Sequence, residues 1–147
     1  MVRQSTVDIL NCILALHSRS LPQYLSSAHP WSTAHTSAAQ RTLRSVAEDQ
    51  RLMVERIGSA IMDEGGCPNL GAYPMTFTGM HDLSVDYLLQ EAIQRQKQDI
   101  ETLRQCIAQL QHAPAARALA EEALGAAEGH LQNLEELAPS GLSVASS

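Results

Sequence analysis

Apolar residues recur along this chain at spacings of three and four residues, in four separate segments. The second segment shows the pattern most clearly, with a stripe made of Leu43, Val46, Gln50, Met53, Ile57 and Ile61. This spacing follows the 3.6-residue period of an α-helix and not the two-residue alternation of a strand. The pattern therefore predicts an all-α protein.

Capping and turn residues set the expected ends of the four helices. They are expected at about 6–27, from 32 or 36 to 63, at about 81–111, and from 114 to about 137. Thr6 is a candidate N-cap of the first helix, and Pro22 predicts a kink or break between residues 18 and 22, because an interior proline removes a backbone hydrogen bond. Gly65 and Gly66 predict that the second helix ends on a left-handed glycine.

The connection between the second and third helices is unusually long. Residues 64–81 contain Gly65, Gly66, Gly71, Gly79 and two prolines, whereas the third and fourth helices are joined by a short turn. A connection of this length can run along a helix bundle, so that the two helices that it joins are parallel. This is the ferritin-like plan, with a single bundle over 1–138 and a flexible tail at 139–147. A plain up-and-down bundle, with the second helix antiparallel to the third, is the alternative.

Charge and composition exclude two classes of partner. The net charge is −6 and no cluster of Lys and Arg is present to neutralise phosphates, so nucleic acid is not an expected partner. No apolar run reaches the length of about 18 residues that a membrane span needs. Because only 3% of the residues are aromatic, the core is expected to consist of aliphatic side chains.

The three cysteines, Cys12, Cys67 and Cys106, form no C-x-x-C pair and no zinc-finger spacing. Cys12 and Cys106 fall within predicted helices, where a buried thiol is expected to act as a small apolar group. Cys67 lies in the glycine-rich connection and is expected to be exposed. This use of cysteine favours a reducing, cytoplasmic compartment.

Several short runs resemble the bacterioferritins of the ferritin-like superfamily. Residues 10–14 (LNCIL) and 22–24 (PQY) are similar to the first helix of that family, and residues 55–57 (ERI) with 66–70 (GCPNL) to the end of the second helix and the loop that follows. Residues 128–131 (EGHL) are similar to the fourth-helix motif. The resemblance covers roughly residues 9–137. It implies a dimer through the first two helices, and no cage is expected.

The resemblance also implies where the ligands of a di-iron centre would lie. The glutamate of the first helix falls on His17, and that of the second helix falls on Gln50, with its partner histidine on Met53. An alternative alignment, anchored on residues 55–57, brings Asp49 into play. The family pattern is therefore not kept on either helix.

The second half of the chain departs from the family pattern in the same way. The glutamate of the third helix falls on Gln96, with Asp99 one turn later. The Glu-x-x-His pair of the fourth helix falls on Ala127 and His130. Since a di-iron centre needs several carboxylates to balance and bridge two cations, iron oxidation at these positions is not expected.

Two functional hypotheses follow from these substitutions. The favoured one is a non-catalytic homodimer without a cofactor, which acts in protein interaction or scaffolding with an unknown partner. In this hypothesis the buried polar groups hydrogen-bond to one another without a metal. These groups are Gln50, Gln96, Tyr24 and the two histidines. The alternative is a mononuclear iron or zinc site with a role in metal storage or oxidoreduction, in which His17 and His130 combine with Asp49 or Asp99. No catalytic residue is predicted.

Overall fold

The computed structural model describes residues 2–28, 38–71, 73, 75–77 and 85–137. These residues form five α-helices: α1 (Val2–Ser18), α2 (Leu21–Ala28), α3 (Ala38–Asp63), α4 (Val85–Ala108) and α5 (Pro114–Leu137). One turn of 3₁₀-helix, Met75–Phe77, lies between α3 and α4. No strand occurs in this part of the chain, and the prediction of an all-α protein is confirmed.

The predicted first helix is divided into α1 and α2. The Ser20 hydroxyl accepts a hydrogen bond from the Gln23 backbone N–H at 3.2 Å, so Ser20 caps α2. Pro22 then lies in the first turn of α2, where its missing N–H costs no helical hydrogen bond. The expected break is confirmed, but the predicted cap at Thr6 is wrong. Helix α1 already begins at Val2, because no residue before Thr6 interrupts it, and Thr6 is buried.

The end of α3 follows the predicted glycine cap. Gly65 has a φ of 86° in the left-handed region. Its N–H donates to the Met62 carbonyl at 2.9 Å, and the N–H of Gly66 donates to the Ile61 carbonyl at 2.9 Å. These two bonds satisfy carbonyls that would otherwise lack a partner in the last turn.

The other boundaries agree with the sequence to within a few residues. Helix α5 has the predicted bounds, and α4 ends at Ala108 rather than near 111. The expected start of the second helix at 32 or 36, the start of the third at 81, and the tail at 139–147 fall outside the described residues. No described helix has both the length and the apolar character needed to cross a membrane.

Helices α1 and α2 run antiparallel to α3. Asn11, in the middle of α1, donates its side-chain amide to the carbonyl of Cys67, just beyond the end of α3. Ser20, at the start of α2, contacts Gln50 in the middle of α3. Positions later in α1 and α2 therefore meet positions earlier in α3.

Helix α5 runs antiparallel to both α3 and α4. Along α3, Asp49 contacts His130 while the later Arg56 contacts the earlier Glu122. Along α4, the ion pairs run in the same sense: Lys97 with Glu135 and Arg104 with Glu128. Helices α3 and α4 are consequently parallel, and the connection between them runs back along their length. This direction disagrees with the up-and-down alternative.

The buried side chains form two apolar clusters with polar groups between them. The large cluster is centred on Leu10, Ile13, Ile57, Ile61, Leu103 and Ala123. The small cluster is centred on Leu21, Leu25, Leu43, Phe77, Leu88 and Leu134. Between the clusters lie His17, Gln50, Gln96 and His130, which we call the polar layer. His17, Gln50 and Gln96 are only 7%, 5% and 5% exposed, so most of this layer is as buried as the clusters.

Tyr24 does not belong to the polar layer, contrary to the expectation from the sequence. Its ring packs against Tyr73 and Phe77, with ring centroids 5.3 and 5.5 Å away, at the edge of the small cluster. Tyr24 follows His17 by two helical turns, which carries it past the polar layer. These contacts fix the connection between α3 and α4 against α2.

Candidate functional site

A cavity of about 30 Å³ opens in the polar layer, where α1, α3, α4 and α5 converge. Its lining includes all six positions to which the resemblance assigns ligands: His17, Gln50, Met53, Gln96, Ala127 and His130. Asp49 and Asp99 line it as well. A cavity of this volume holds about one or two water molecules or a single ion, and it is too small for an organic substrate.

His17 is held in one tautomer by the backbone of its own helix. Its Nδ1 lies 2.8 Å from the Ile13 carbonyl oxygen. Because a carbonyl only accepts, Nδ1 carries the proton and Nε2 keeps a lone pair. Burial is the main cause that lowers the pKa of His17, and neighbouring His130 lowers it further, although the hydrogen bond to Ile13 raises it. The imidazole is therefore neutral at pH 7.

His130 lies at the edge of the same cavity and is oriented by a carboxylate. Its Nε2 donates to Asp49 Oδ2 at 2.9 Å. The His130 side chain is 12% exposed, whereas that of Asp49 is 56% exposed. This carboxylate therefore stands on the solvent side of His130. The two histidines differ, since one is turned to the backbone and the other to a surface anion.

The two glutamines are bound to the protein rather than free. The Ser20 hydroxyl donates to Gln50 Oε1 at 2.6 Å. Gln96 Nε2 donates to the Ala127 carbonyl at 3.0 Å. Ala127 thus accepts a hydrogen bond through its backbone carbonyl, because its methyl side chain cannot form one. Each amide bridges two helices, α2 with α3 and α4 with α5.

Asp99 connects the polar layer with a second cavity. Burial raises the pKa of Asp99 to about 6, and the positive charge of Arg95 opposes that rise. The second cavity, of about 250 Å³, is lined by Asp99 together with Cys12, Arg19 and Arg95. Arg95 also lies over the Phe77 ring, 4.7 Å from its centroid.

The three cysteines divide differently from expectation. Cys106 is buried and Cys67 is exposed, as predicted, but Cys12 is exposed. Cys12 lies on the side of α1 that borders the second cavity, where α1 and α4 leave space between them. The helical spacing alone does not show this gap.

The donors at the first cavity do not fit a di-iron centre. Its six implied ligand positions hold two imidazoles, two amides, one thioether and one methyl group, and no carboxylate. Asp49 and Asp99 lie beside them, yet within the described residues no three His, Cys, Asp or Glu side chains are grouped so as to hold a metal ion. The four candidate ligands His17, His130, Asp49 and Asp99 line one cavity without forming such a group.

Three hydrogen-bond partners in this site were not predicted from the sequence. They are the carbonyls of Ile13 and Ala127 and the hydroxyl of Ser20. The four-residue spacing from Ile13 to His17 offered a signal, because a side chain can reach the carbonyl one turn earlier. The other two require a knowledge of which helices are neighbours.

Comparison with known proteins does not assign a family. No protein-family model and no curated protein matches this chain. The resemblance to bacterioferritins therefore rests on the residues of the sequence alone.

Proposed function

We propose that this chain is a ferritin-like four-helix bundle with a degenerate di-iron site, which acts without catalysis in protein interaction or scaffolding. One observation carries the proposal. Three buried polar groups at the implied ligand positions, His17, Gln50 and Gln96, are neutral and form their hydrogen bonds with the protein. A layer of this kind is stable without a cation.

The chemistry of the donors supports a loss of the metal centre. Two iron ions need anionic oxygens that bridge them and offset their charge. Gln50 and Gln96 supply neutral amides that are already engaged with Ser20 and Ala127. Of the two carboxyl groups that line the first cavity, that of Asp49 is more than half exposed, and burial raises the pKa of Asp99 to about 6. The six implied ligand positions therefore supply none of the negative charge that a di-iron centre requires.

We therefore infer that the protein acts through its surface. The first cavity has room for no organic substrate. Leu52 and Met62 on α3 are 48% and 59% exposed, and α3 is one of the helices that the resemblance assigns to a dimer face. We propose a homodimer through α1 and α3, which sedimentation of the wild type and of a Leu52→Asp variant would test. A wild type that sediments as a monomer at every concentration contradicts the dimer.

Restoring the ligands tests the ferritin-like assignment directly. The variant combines His17→Glu, Gln50→Glu, Met53→His, Gln96→Glu and Ala127→Glu. With His130 retained, it is expected to take up about two iron ions per chain and to oxidise ferrous iron in air. Circular dichroism and a melting curve establish that it folds. A folded variant that binds no iron contradicts the proposal that these positions form a former di-iron site.

A mononuclear metal site is the second candidate, and the geometry of His17 favours it. Metal-binding histidines commonly donate their second ring nitrogen to a backbone carbonyl, as Nδ1 of His17 does to Ile13. Its Nε2 is then the available donor atom. His130 and either Asp49 or Asp99 would have to complete the set, for a role in metal storage or oxidoreduction.

Metal content separates the two candidates. Protein purified without an affinity tag is incubated separately with ferrous iron and with zinc, then desalted and measured by plasma mass spectrometry. The proposed function predicts no bound metal above background and an unchanged melting temperature. About one metal per chain, lost in His17→Ala and His130→Ala but kept in a His112→Ala control, would instead establish the mononuclear site. His112 is an exposed histidine in the turn before α5.

A further inference from the structure

The second cavity has an excess of positive charge in its lining. Two arginines, Arg19 and Arg95, border this space of about 250 Å³ between α1 and α4. Asp99 supplies the one carboxyl group among the described residues that line it. Two guanidinium groups against one carboxyl group leave a net positive charge even when Asp99 is ionised. The cavity is therefore expected to attract anions, although the chain as a whole has a net charge of −6.

Arg95 is held in one orientation and keeps a hydrogen-bond donor without an acceptor. Its guanidinium lies over the Phe77 ring, 4.7 Å from the centroid. Its Nε lies 3.7 Å from Oε2 of Glu91, which is longer than a hydrogen bond, and Glu91 does not line the cavity. This buried Nε has no hydrogen-bond partner among the described residues. Arg95 is consequently an oriented cation that the protein does not fully engage.

Arg19 reaches the same cavity from the break between α1 and α2. Its side chain lies close to the backbone of Gly71, since a Cβ at that glycine would be 2.8 Å from both Cζ and Nε of Arg19. Gly71 also has a φ of 72°, in the left-handed region that favours glycine. Arg19 is exposed, and within the described part of the chain it forms no ion pair with an acidic side chain. Its charge is therefore available to a ligand at the rim of the cavity.

An apolar wall completes the cavity. It consists of Ala15, Leu21 and Phe77, which are all buried. Small-molecule sites typically combine such a wall with a few polar groups that orient the ligand. The volume lies just below the usual range for drug-sized ligands, so the cavity has room for about ten non-hydrogen atoms. Charge, shape and size together indicate a small amphipathic anion.

We propose that the second cavity binds a small organic monocarboxylate, whose carboxylate pairs with Arg95 and Arg19 and whose apolar part packs against the apolar wall. The planar fork of a guanidinium matches the two oxygens of a carboxylate. Inorganic phosphate fits less well, because it brings more negative charge beside Asp99 and has no apolar part. The inference goes beyond the proposed function, since neither arginine lines the first cavity.

An NMR titration of the full chain with benzoate tests the proposal. Benzoate is a carboxylate of suitable size, and benzamide is its uncharged counterpart with the same ring. The backbone amide signals of the ¹⁵N-labelled protein are followed as each compound is added. Benzoate is expected to shift the signals of Ala15, Leu21 and Phe77 with a Kd on the order of 1 mM, as suits so small a ligand. Benzamide and inorganic phosphate should bind at least about tenfold more weakly.

Variants of the lining separate a binding role from a structural one. Arg95→Met and Arg19→Met should each raise the Kd for benzoate by about tenfold, because each removes a charged partner of the carboxylate. Arg95→Lys keeps the charge without the fork and should lie between wild type and Arg95→Met. Arg104→Met, on the same helix but paired with Glu128, is the matched control and should leave the Kd unchanged. The amide spectrum of each variant shows whether it is folded.

Asp99→Asn provides a test in the opposite direction. It removes the negative charge from the cavity and keeps a hydrogen-bond donor, so benzoate should bind about threefold more tightly at pH 7. A side chain with only a structural role would not produce this gain.

Three results would overturn the assignment. Equal affinity for benzoate and benzamide would show that the arginines do not recognise the ligand. Tighter binding of phosphate than of benzoate would show that the cavity takes inorganic anions. No shift at millimolar concentrations of either benzoate or isovalerate, a branched aliphatic carboxylate, would show that the cavity is not a carboxylate site.

Discussion

The large cluster and the polar layer are built by the same helices, one or two turns apart, and most of their side chains are equally buried. In the large cluster, Ile13, Ile57 and Leu103 are buried without any need for a partner. In the polar layer, His17, Gln50 and Gln96 are just as buried, and each has a hydrogen bond to the protein. Equal burial therefore affects stability differently in the two regions. Apolar side chains stabilise the fold when they leave water, whereas polar side chains only replace the hydrogen bonds to water that they lose.

The two regions also respond differently to charge. Burial lowers the pKa of His17 and raises that of Asp99, and both shifts favour the uncharged form. His17 is consequently uncharged at pH 7, whereas Asp99 loses its proton as the pH rises through 6. Among the described residues of the large cluster, only the Cys106 thiol can titrate.

Removal of apolar volume from the large cluster should have the largest effect on stability. Ile57 is fully buried in α3, and Ile57→Ala is expected to lower the free energy of unfolding by about 2–5 kcal/mol through lost burial and the cavity left behind. Urea unfolding followed by circular dichroism measures it. Arg44→Ala, at an exposed position of the same helix, is the matched control and should cost about 0.5 kcal/mol or less. Equal losses for the two variants would contradict the packing described.

Asp99 should produce the next largest effect, and one that depends on pH. Its pKa is raised to about 6 in the folded protein from 3.8, so between these values the folded state binds more protons than the unfolded state. Its contribution to stability is present below pH 3.8 and is lost as the pH rises through 6. Asp99→Asn removes this dependence and should stabilise the protein at pH 7 by about 1–3 kcal/mol, while the two proteins converge below pH 4.

Unfolding in urea at several pH values measures the difference for Asp99→Asn. Gln98→Ala, next to it on α4, removes no titratable group and should keep the pH dependence of the wild type. A difference between wild type and Asp99→Asn that stays constant from pH 4 to 7 would show that burial does not control this carboxyl.

Most of the fold follows from residues whose local chemistry is unambiguous. The α3 stripe from Leu43 to Ile61 is buried throughout, since a 3.6-residue period has one interpretation. Gly65 and Pro114 mark ends that only a left-handed cap and a first helical turn explain. The predicted start of α1 is wrong because Thr6, although threonine commonly caps helices, lies inside α1. The predicted burial of Cys12 is wrong because the space between α1 and α4 cannot be predicted from the sequence of either helix.

The sequence indicated which residues would lie near the site, but not which groups they would hydrogen-bond to. The first cavity is lined by eleven residues, and six of them, including His17 and His130, are positions to which the resemblance assigns ligands. The carbonyls of Ile13 and Ala127 could not be found in the same way, because every residue has a carbonyl and only the packing decides which one is within reach. Tyr24 was placed too near because the break at Ser20 and the two intervening turns separate it from the layer.

A change within the polar layer should have the smallest effect, and it tests the comparison most closely. Gln96→Met keeps the length of the side chain and removes the hydrogen bond to the Ala127 carbonyl. That carbonyl lies inside α5 and retains its helical hydrogen bond, so the expected loss is about 1 kcal/mol, against several for Ile57→Ala. Gln94→Met, exposed on the same helix, is the matched control for urea unfolding. A loss for Gln96→Met as large as that for Ile57→Ala would mean that the bridge between α4 and α5 contributes to the fold as much as an apolar residue, and that the polar layer is a structural centre rather than the remnant of a site.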